Sequence, residues 1–244
     1  MARMSRELKS QGHNVIALSL GEPDFNTPDF IKDAAKKAID DNFSHYTPVA
    51  GLPELKNAIV NKFKRDNNLE FLPEQIVTST GAKQSLANIC LTLLDPKDEV
   101  LLPCPYWVSY SDMIKIAEGI PVEIKSTIDN DFKVTTEQIE SAITEKTKML
   151  MFSSPCNPSG TVYSQKELED IANMLKKYPN IYVVSDEIYE HINFNDKHFS
   201  IGTIKSMKER TITVNGVSKG FAMTGWRVGF IGAPLWIAQA CNKI

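Results

Sequence analysis

No apolar run in this chain approaches the roughly 20 residues that a membrane-spanning helix needs. The opening stretch MARMSRELKSQGHN has no apolar core of the kind a secretory signal carries. Cysteine is sparse. Cys90, Cys104, Cys156 and Cys241 match no zinc spacing, no redox motif and no disulfide framework. They read as reduced thiols in a cytoplasmic protein. Histidine is equally thin: His13, His45, His191 and His198 are scattered, and none pairs with a cysteine or carboxylate at metal-ligand spacing. They read as ordinary polar or half-buried side chains, and no metal is expected. Neither sign of charge dominates, the net charge being −3, so no nucleic acid or membrane partner is implied. No G-x-G-x-x-G follows a strand-like run, which argues against a nicotinamide-dependent dehydrogenase. There is no internal repeat and no low-complexity stretch.

What is present is an alternation of apolar and amphipathic runs. With 42% hydrophobic and 23% charged residues in 244, the chain has a globular profile and enough length for a self-sufficient core. Thr27-Pro28 reads as helix N-cap and first helical residue, followed by DFIKDAAKKAIDD with apolar residues at helical spacing. LPELKNAIVNKFKRD, AKQSLANICLTLL, TTEQIESAIT and SQKELEDIANMLKKY also read as helices. Between them lie seven strand-like runs: QIVTST, EVLLP, IPVEIK, KMLMFSS, IYVVSD, RTITVN and RVGFIGA. Strands alternating with helices predict an α/β fold, a mainly parallel sheet of about seven strands with helices on both faces. Only about a dozen residues separate the last two runs, near the minimum for a parallel crossover, so the last strand is expected to run antiparallel.

Ligands in such sheets bind beyond the carboxyl ends of the strands. Polar, glycine or aromatic residues gather at those ends: Gly81-Ala82-Lys83, CPYW, PCNPSG, Asp186 and GVSK. Turn chemistry alone accounts for some of these. It does not readily explain an aspartate ending one apolar strand and a lysine shortly after another. A phosphorylated aldehyde cofactor would need an amine for imine formation, a carboxylate at its pyridine nitrogen, helix-start N–H groups with an arginine for its phosphate, and a flat apolar partner. Lys219, Asp186, the Gly81 loop with Arg227, and Trp107 are the candidates.

Singly these signals are weak; their joint order is specific. NGVSKGFAMTGWRVG, at 215–229, resembles the cofactor-lysine signature of class I aminotransferases, the fold-type I enzymes that use pyridoxal 5′-phosphate. GEPDF, PYWVSY, NPSG and SDEIYE stand in family order, and the set is similar to bacterial aspartate aminotransferases along essentially the whole chain. The resemblance implies that Lys219 forms the cofactor Schiff base and shuttles the substrate proton, and that Asp186 pairs with the ring nitrogen. It implies that Tyr189 and Asn157 bond the ring 3-oxygen, with Asn157 also facing the substrate carboxylate, and that Trp107 stacks on the ring at the substrate site. Gly81, Ala82 and Lys83 would offer backbone N–H groups to the phosphate, with Arg227 as its cation. Gly21 would present backbone to the substrate, and Tyr46 would reach the neighbouring site in a homodimer. Cis prolines are implied at Cys104–Pro105 and Asn157–Pro158.

Many relatives have a serine three residues before the lysine; here that position is Gly216, and Ser218 is a candidate substitute for the lost phosphate contact. The implied layout is an N-terminal segment over 1–27, belonging to a small domain and substrate loop, and a large cofactor-binding domain over 28–244. The family continues beyond the equivalent of Ile244, so the rest of the small domain and its carboxylate-binding arginine are expected outside this sequence. The implied reaction is amino transfer from aspartate to 2-oxoglutarate. The alternatives are another amino donor, prephenate as acceptor, a β-elimination, or a non-catalytic scaffold.

Overall fold

All seven strand-like runs form strands, and the strands make one sheet. The computed structural model describes residues 2–16, 21–194 and 197–244. The strands are β1 (Ile76–Ser79), β2 (Glu99–Pro103), β3 (Ile120–Ile124), β4 (Thr147–Ser153), β5 (Tyr182–Asp186), β6 (Thr211–Gly216) and β7 (Gly229–Gly232), in the order β1-β7-β6-β5-β4-β2-β3. The pairs β2–β3, β2–β4, β4–β5 and β5–β6 are parallel. β7 is antiparallel to both β6 and β1, as the short connection before it requires. Two antiparallel steps leave β1 pointing the same way as β6. The carboxyl ends of six strands and the amino end of β7 therefore share one rim.

The helices are α1 (Ala2–Ser10), α2 (Asp29–Asp40), α3 (Pro53–Asn67), α4 (Ala82–Leu93), α5 (Ser109–Ile116), α6 (Thr136–Ala142), α7 (Gln165–Leu175) and α8 (Leu235–Cys241). Helix α7 begins with a reciprocal cap: the Ser164 hydroxyl accepts from the Glu167 N–H at 3.3 Å, and the Glu167 carboxylate accepts from the Ser164 N–H at 2.7 Å. Thr135 and Gln138 start α6 in the same way. At α2 the expected cap is corrected. The helix begins at Asp29 with Pro28 as N-cap, and the Thr27 hydroxyl instead donates to the Ala222 carbonyl at 2.6 Å. Its apolar positions Phe30 and Ile39 remain 73% and 76% exposed.

Period-two alternation sorts the strand residues to two faces. Met149, Met151, Val184, Ile212, Val214 and Ile231 pack under α4, α5 and α8. Leu101, Leu150, Phe152 and Val183 pack under α6 and α7. Ile76 and Phe230, on that second face, pack with Ile59 and Phe63 of α3. Leu86 and Ile89 are fully buried, and each contributes about 1.5–3 kcal/mol relative to exposure. Between the two apolar patches of the second face, β5 and β6 present Ser185, Thr213 and Asn215, all buried.

Three X–Pro bonds are cis: Cys104–Pro105 and Asn157–Pro158, as expected, and Ser154–Pro155, which was not. The last strand-like run is shortened at its start. Arg227 and Val228 precede β7, and Arg227 is left-handed with φ 59°.

Candidate active site at the carboxyl rim of the sheet

Five connections that leave the rim carry the expected residues, and those after β4, β5 and β6 meet directly. Lys219 follows β6, and its Nζ donates to the carbonyl of Gly21 at 2.5 Å. The same ammonium lies 5.6 Å from the centre of the Tyr189 ring. The Tyr189 hydroxyl accepts from Asn157 Nδ2 at 3.2 Å. Lys219, Tyr189 and Asn157 therefore come together from the ends of β6, β5 and β4. Burial lowers the Lys219 pKa and Arg227 adds to this, while Glu22 opposes it. The direction favours a neutral amine, the nucleophilic form. Gly21 meets Lys219 through its carbonyl, and a methyl group on Gly21 would lie 3.7 Å from that Nζ.

Asp186 ends β5 on the α5 side of the sheet. Its Oδ2 accepts from the Tyr110 hydroxyl at 2.6 Å, and its Oδ1 from the Ile188 N–H at 3.2 Å. Burial pushes the carboxyl up to about 6, against these two donors, and the neighbouring Glu187 pushes the same way. Tyr189 is also raised, chiefly by burial, with the Asn157 hydrogen bond opposing.

At the far edge of the rim, Gly81 is the N-cap of α4 with φ 85°. Its own N–H is taken by the Ser79 carbonyl at 2.8 Å. The first free helix-start donors are therefore those of Ala82 and Lys83, which have no intrahelical partner. Arg227 packs on this loop: its guanidinium donates to the Thr80 carbonyl at 3.3 Å and to the Thr224 carbonyl at 2.9 Å. A Cβ on Gly81 would stand 2.0 Å from Arg227 Nη2. Gly229 opens β7 against the same loop, and a Cβ there would lie 2.2 Å from the Ala82 nitrogen. Only glycine allows that approach.

Trp107 is half-buried after β2, with the Lys83 ammonium 4.8 Å from its ring centre. Ser218 is buried beside Lys219. Gly216 is explained by crowding, because a Cβ there would meet the Val228 carbonyl at 2.8 Å. Tyr46 is fully exposed on the loop after α2, at 107%.

Sequence reading missed three features here. One is Tyr110, which stands in the quoted PYWVSY and whose N–H donates to the Trp107 carbonyl at 3.0 Å. Another is Gly229. The third is a buried charge network behind the rim. Glu187 accepts from Asn67 at 3.1 Å, Ser185 at 2.9 Å and Ser200 at 2.6 Å, and lies 2.9 Å from His198 Nε2. Glu190 pairs with Lys62 and accepts from Asn67 at 2.5 Å and Asn215 at 2.9 Å. His198, read from sequence as ordinary, is thus part of a cluster in which Glu187, Glu190 and His198 bring ligand-type atoms within 4.8 Å. Protein donors already engage both carboxylates. Burial alone would lower the His198 pKa, but Glu187 outweighs it and the net direction is upward. All four cysteines are free thiols. No helix among the described residues is long and apolar enough to cross a membrane.

Residues 13–244 match the profile of the family described as aminotransferase class I and II. A probable aspartate/prephenate aminotransferase of Rickettsia typhi is 51% identical over 246 residues, covering 100% of this chain and 62% of that protein. The aspartate/prephenate aminotransferase of Nitrosomonas europaea is 49% identical, covering 97% and 60%. Among solved structures, the aspartate aminotransferase of Thermus thermophilus with maleate superposes with a TM-score of 0.96 at 42% identity, covering 99% of this chain and 63% of that one. The chain spans about 60% of the length of these curated relatives. With its sheet order, its rim constellation and a profile match across nearly its whole length, the chain belongs to the aminotransferase class I and II family.

Proposed function

We propose that this chain forms the cofactor-binding part of a pyridoxal 5′-phosphate-dependent aminotransferase that moves an amino group from aspartate to 2-oxoglutarate. The observation that carries the reading is the meeting of Lys219, Tyr189 and Asn157, with the buried Asp186 ending the same strand that leads to Tyr189. The donor set suits the group. A half-buried amine with a lowered pKa, a buried carboxylate, a hydroxyl with an amide beside it, and free helix-start N–H groups next to a guanidinium match an aldehyde, a pyridine nitrogen, a ring oxygen and a phosphate.

Bound at this site, the cofactor supplies an electron-withdrawing ring that stabilises negative charge at the substrate α-carbon. The chain's own residues do the rest. Lys219 would hold the cofactor through its amine and would serve as the base for the proton of the α-carbon. Asp186 would accept the ring N–H and favour a protonated nitrogen. Tyr189 and Asn157 would bond the ring oxygen. Trp107 would offer a flat apolar partner to the ring. Ala82, Lys83 and Arg227 hold the phosphate, with Ser218 beside them. Gly21, with Trp107 and Asn157, borders the substrate.

Prephenate is a second acceptor supported by a specific finding, since the relatives from Rickettsia typhi and Nitrosomonas europaea carry it in their names. The resemblance to aspartate aminotransferases carries a cytoplasmic homodimer with it, in which Tyr46, fully exposed on the loop after α2, would serve the neighbouring site. The division into residues 1–27 and 28–244 fits this use, because Thr27 and Glu22 contact the lysine loop at Ala222 and Thr224. The test is to add the cofactor, reduce with borohydride and map the modified peptide, then assay amino transfer from aspartate to 2-oxoglutarate and to prephenate. Label on a lysine other than Lys219 refutes the assignment.

A further inference from the structure

Tyr110 is a fully buried polar side chain on α5 that the reaction outlined above does not use. Its hydroxyl is 2.6 Å from Asp186 Oδ2, a short contact between groups 76 residues apart. The aim of that hydroxyl is fixed from the other side. The Tyr110 ring meets Trp107 edge-on, with centroids 5.7 Å apart and planes at 89°, and lies parallel to Tyr106 at 6.4 Å. One side chain thus spans two of the residues assigned to the cofactor ring, touching Trp107 by its ring and Asp186 by its hydroxyl.

The chemistry of the pair is one-sided. Burial, then the charge and hydrogen bond of Asp186, hold the phenol well above its ordinary pKa, so it stays a donor. A donor that keeps its proton favours the ionised carboxylate. That effect opposes the burial that raises Asp186 to about 6. The other titratable groups facing this pair do not supply a cation. They are Glu187, next to Asp186, Tyr189 after β5 and Cys156 after β4.

We infer that Tyr110 is a positioning residue whose O–H keeps the Asp186 carboxylate ionised and holds it in one orientation toward the ring-nitrogen site. The purpose of that positioning rests on the proposed role of Asp186; the coupling itself does not. The alternative is that the contact only pins α5 to the sheet.

The test uses the cofactor-free chain labelled with carbon-13 at aspartate carboxyls, the Asp186 signal being identified by its loss in Asp186→Asn. The Asp186 titration midpoint is expected near 6 in the wild type and higher by about one pH unit in Tyr110→Phe, which keeps the ring against Trp107. Replacing Tyr110 by 3-fluorotyrosine, a stronger donor of nearly the same size, should move the midpoint down. Opposite shifts in the two variants support the inference, and the fluorinated variant carries the test if the phenylalanine variant folds poorly. An unchanged midpoint in a variant with native circular dichroism overturns it. Shifted midpoints in a chain that takes up no cofactor would refute the proposed function while leaving the Tyr110–Asp186 coupling in place.

Discussion

Asp186→Asn should stabilise the cofactor-free protein at neutral pH while abolishing the role proposed for the site. Asp186 is 4% exposed and pays for its burial in the charged form. Its folded pKa of about 6 lies above the ordinary 3.8, a gap that corresponds to about 3 kcal/mol. The sign follows from proton counting. Between 3.8 and about 6 the folded state holds more protons than the unfolded one, so this group's contribution falls as pH rises through that window. Asparagine lacks the titration. Its carbonyl can still accept from Tyr110, and its amide leaves a buried donor facing Ile188, a penalty of about 1–3 kcal/mol that does not vary with pH. The informative quantity is therefore how the variant–wild-type difference changes with pH. Urea unfolding without cofactor at about pH 4 and about pH 8 should show the variant gaining about 3 kcal/mol relative to wild type across that interval. A difference that stays constant with pH would refute the claim that Asp186 is held charged against its burial.

Lys219→Ala should leave unfolding free energy within about 0.5 kcal/mol of wild type and eliminate borohydride fixation of the cofactor. Gly229→Ala should cost about 3 kcal/mol or more in urea unfolding and reduce cofactor uptake, because its Cβ would lie 2.2 Å from Ala82 backbone nitrogen and 2.4 Å from the Gly81 carbonyl carbon. Gly216→Ser should destabilise by about 1–3 kcal/mol, since the Val228 carbonyl and Ile188 stand where its Cβ must go. For the raised His198, the stabilising pair with Glu187 is fully present below the unfolded value of 6.5 and is lost as pH rises through the folded pKa. The stability gap between wild type and His198→Asn, measured by urea unfolding, should therefore narrow with rising pH; a gap that widens would refute the pairing.

Local order fixed the elements. Continuous apolar runs in KMLMFSS and IYVVSD marked β4 and β5 as strands covered on both faces, SQKELEDIANMLKKY carried its own capping pair, and a twelve-residue connection favoured an antiparallel β7. Because strand ends were readable, so was the principle that Lys219, Asp186 and Asn157 lie along one rim. The motifs added which chemistry those residues suit. The tertiary structure decided what depends on strand order and on the packing of distant segments. The order β1-β7-β6-β5-β4-β2-β3 puts Gly229 of β7 against the Gly81 loop of β1, an approach no local pattern encodes. The position of α5 turns Tyr110 toward a carboxylate 76 residues away, where its own sequence reads only as a buried aromatic. The charge network has the same origin. Lys62 and Asn67 look like surface residues of an amphipathic helix, yet packing α3 over the polar stretch of β5 and β6 makes them partners of Glu190. Periodicity reports which side of an element is buried; only the assembled fold determines which polar groups meet there, because that pairing is set by long-range contacts rather than by neighbours in the chain.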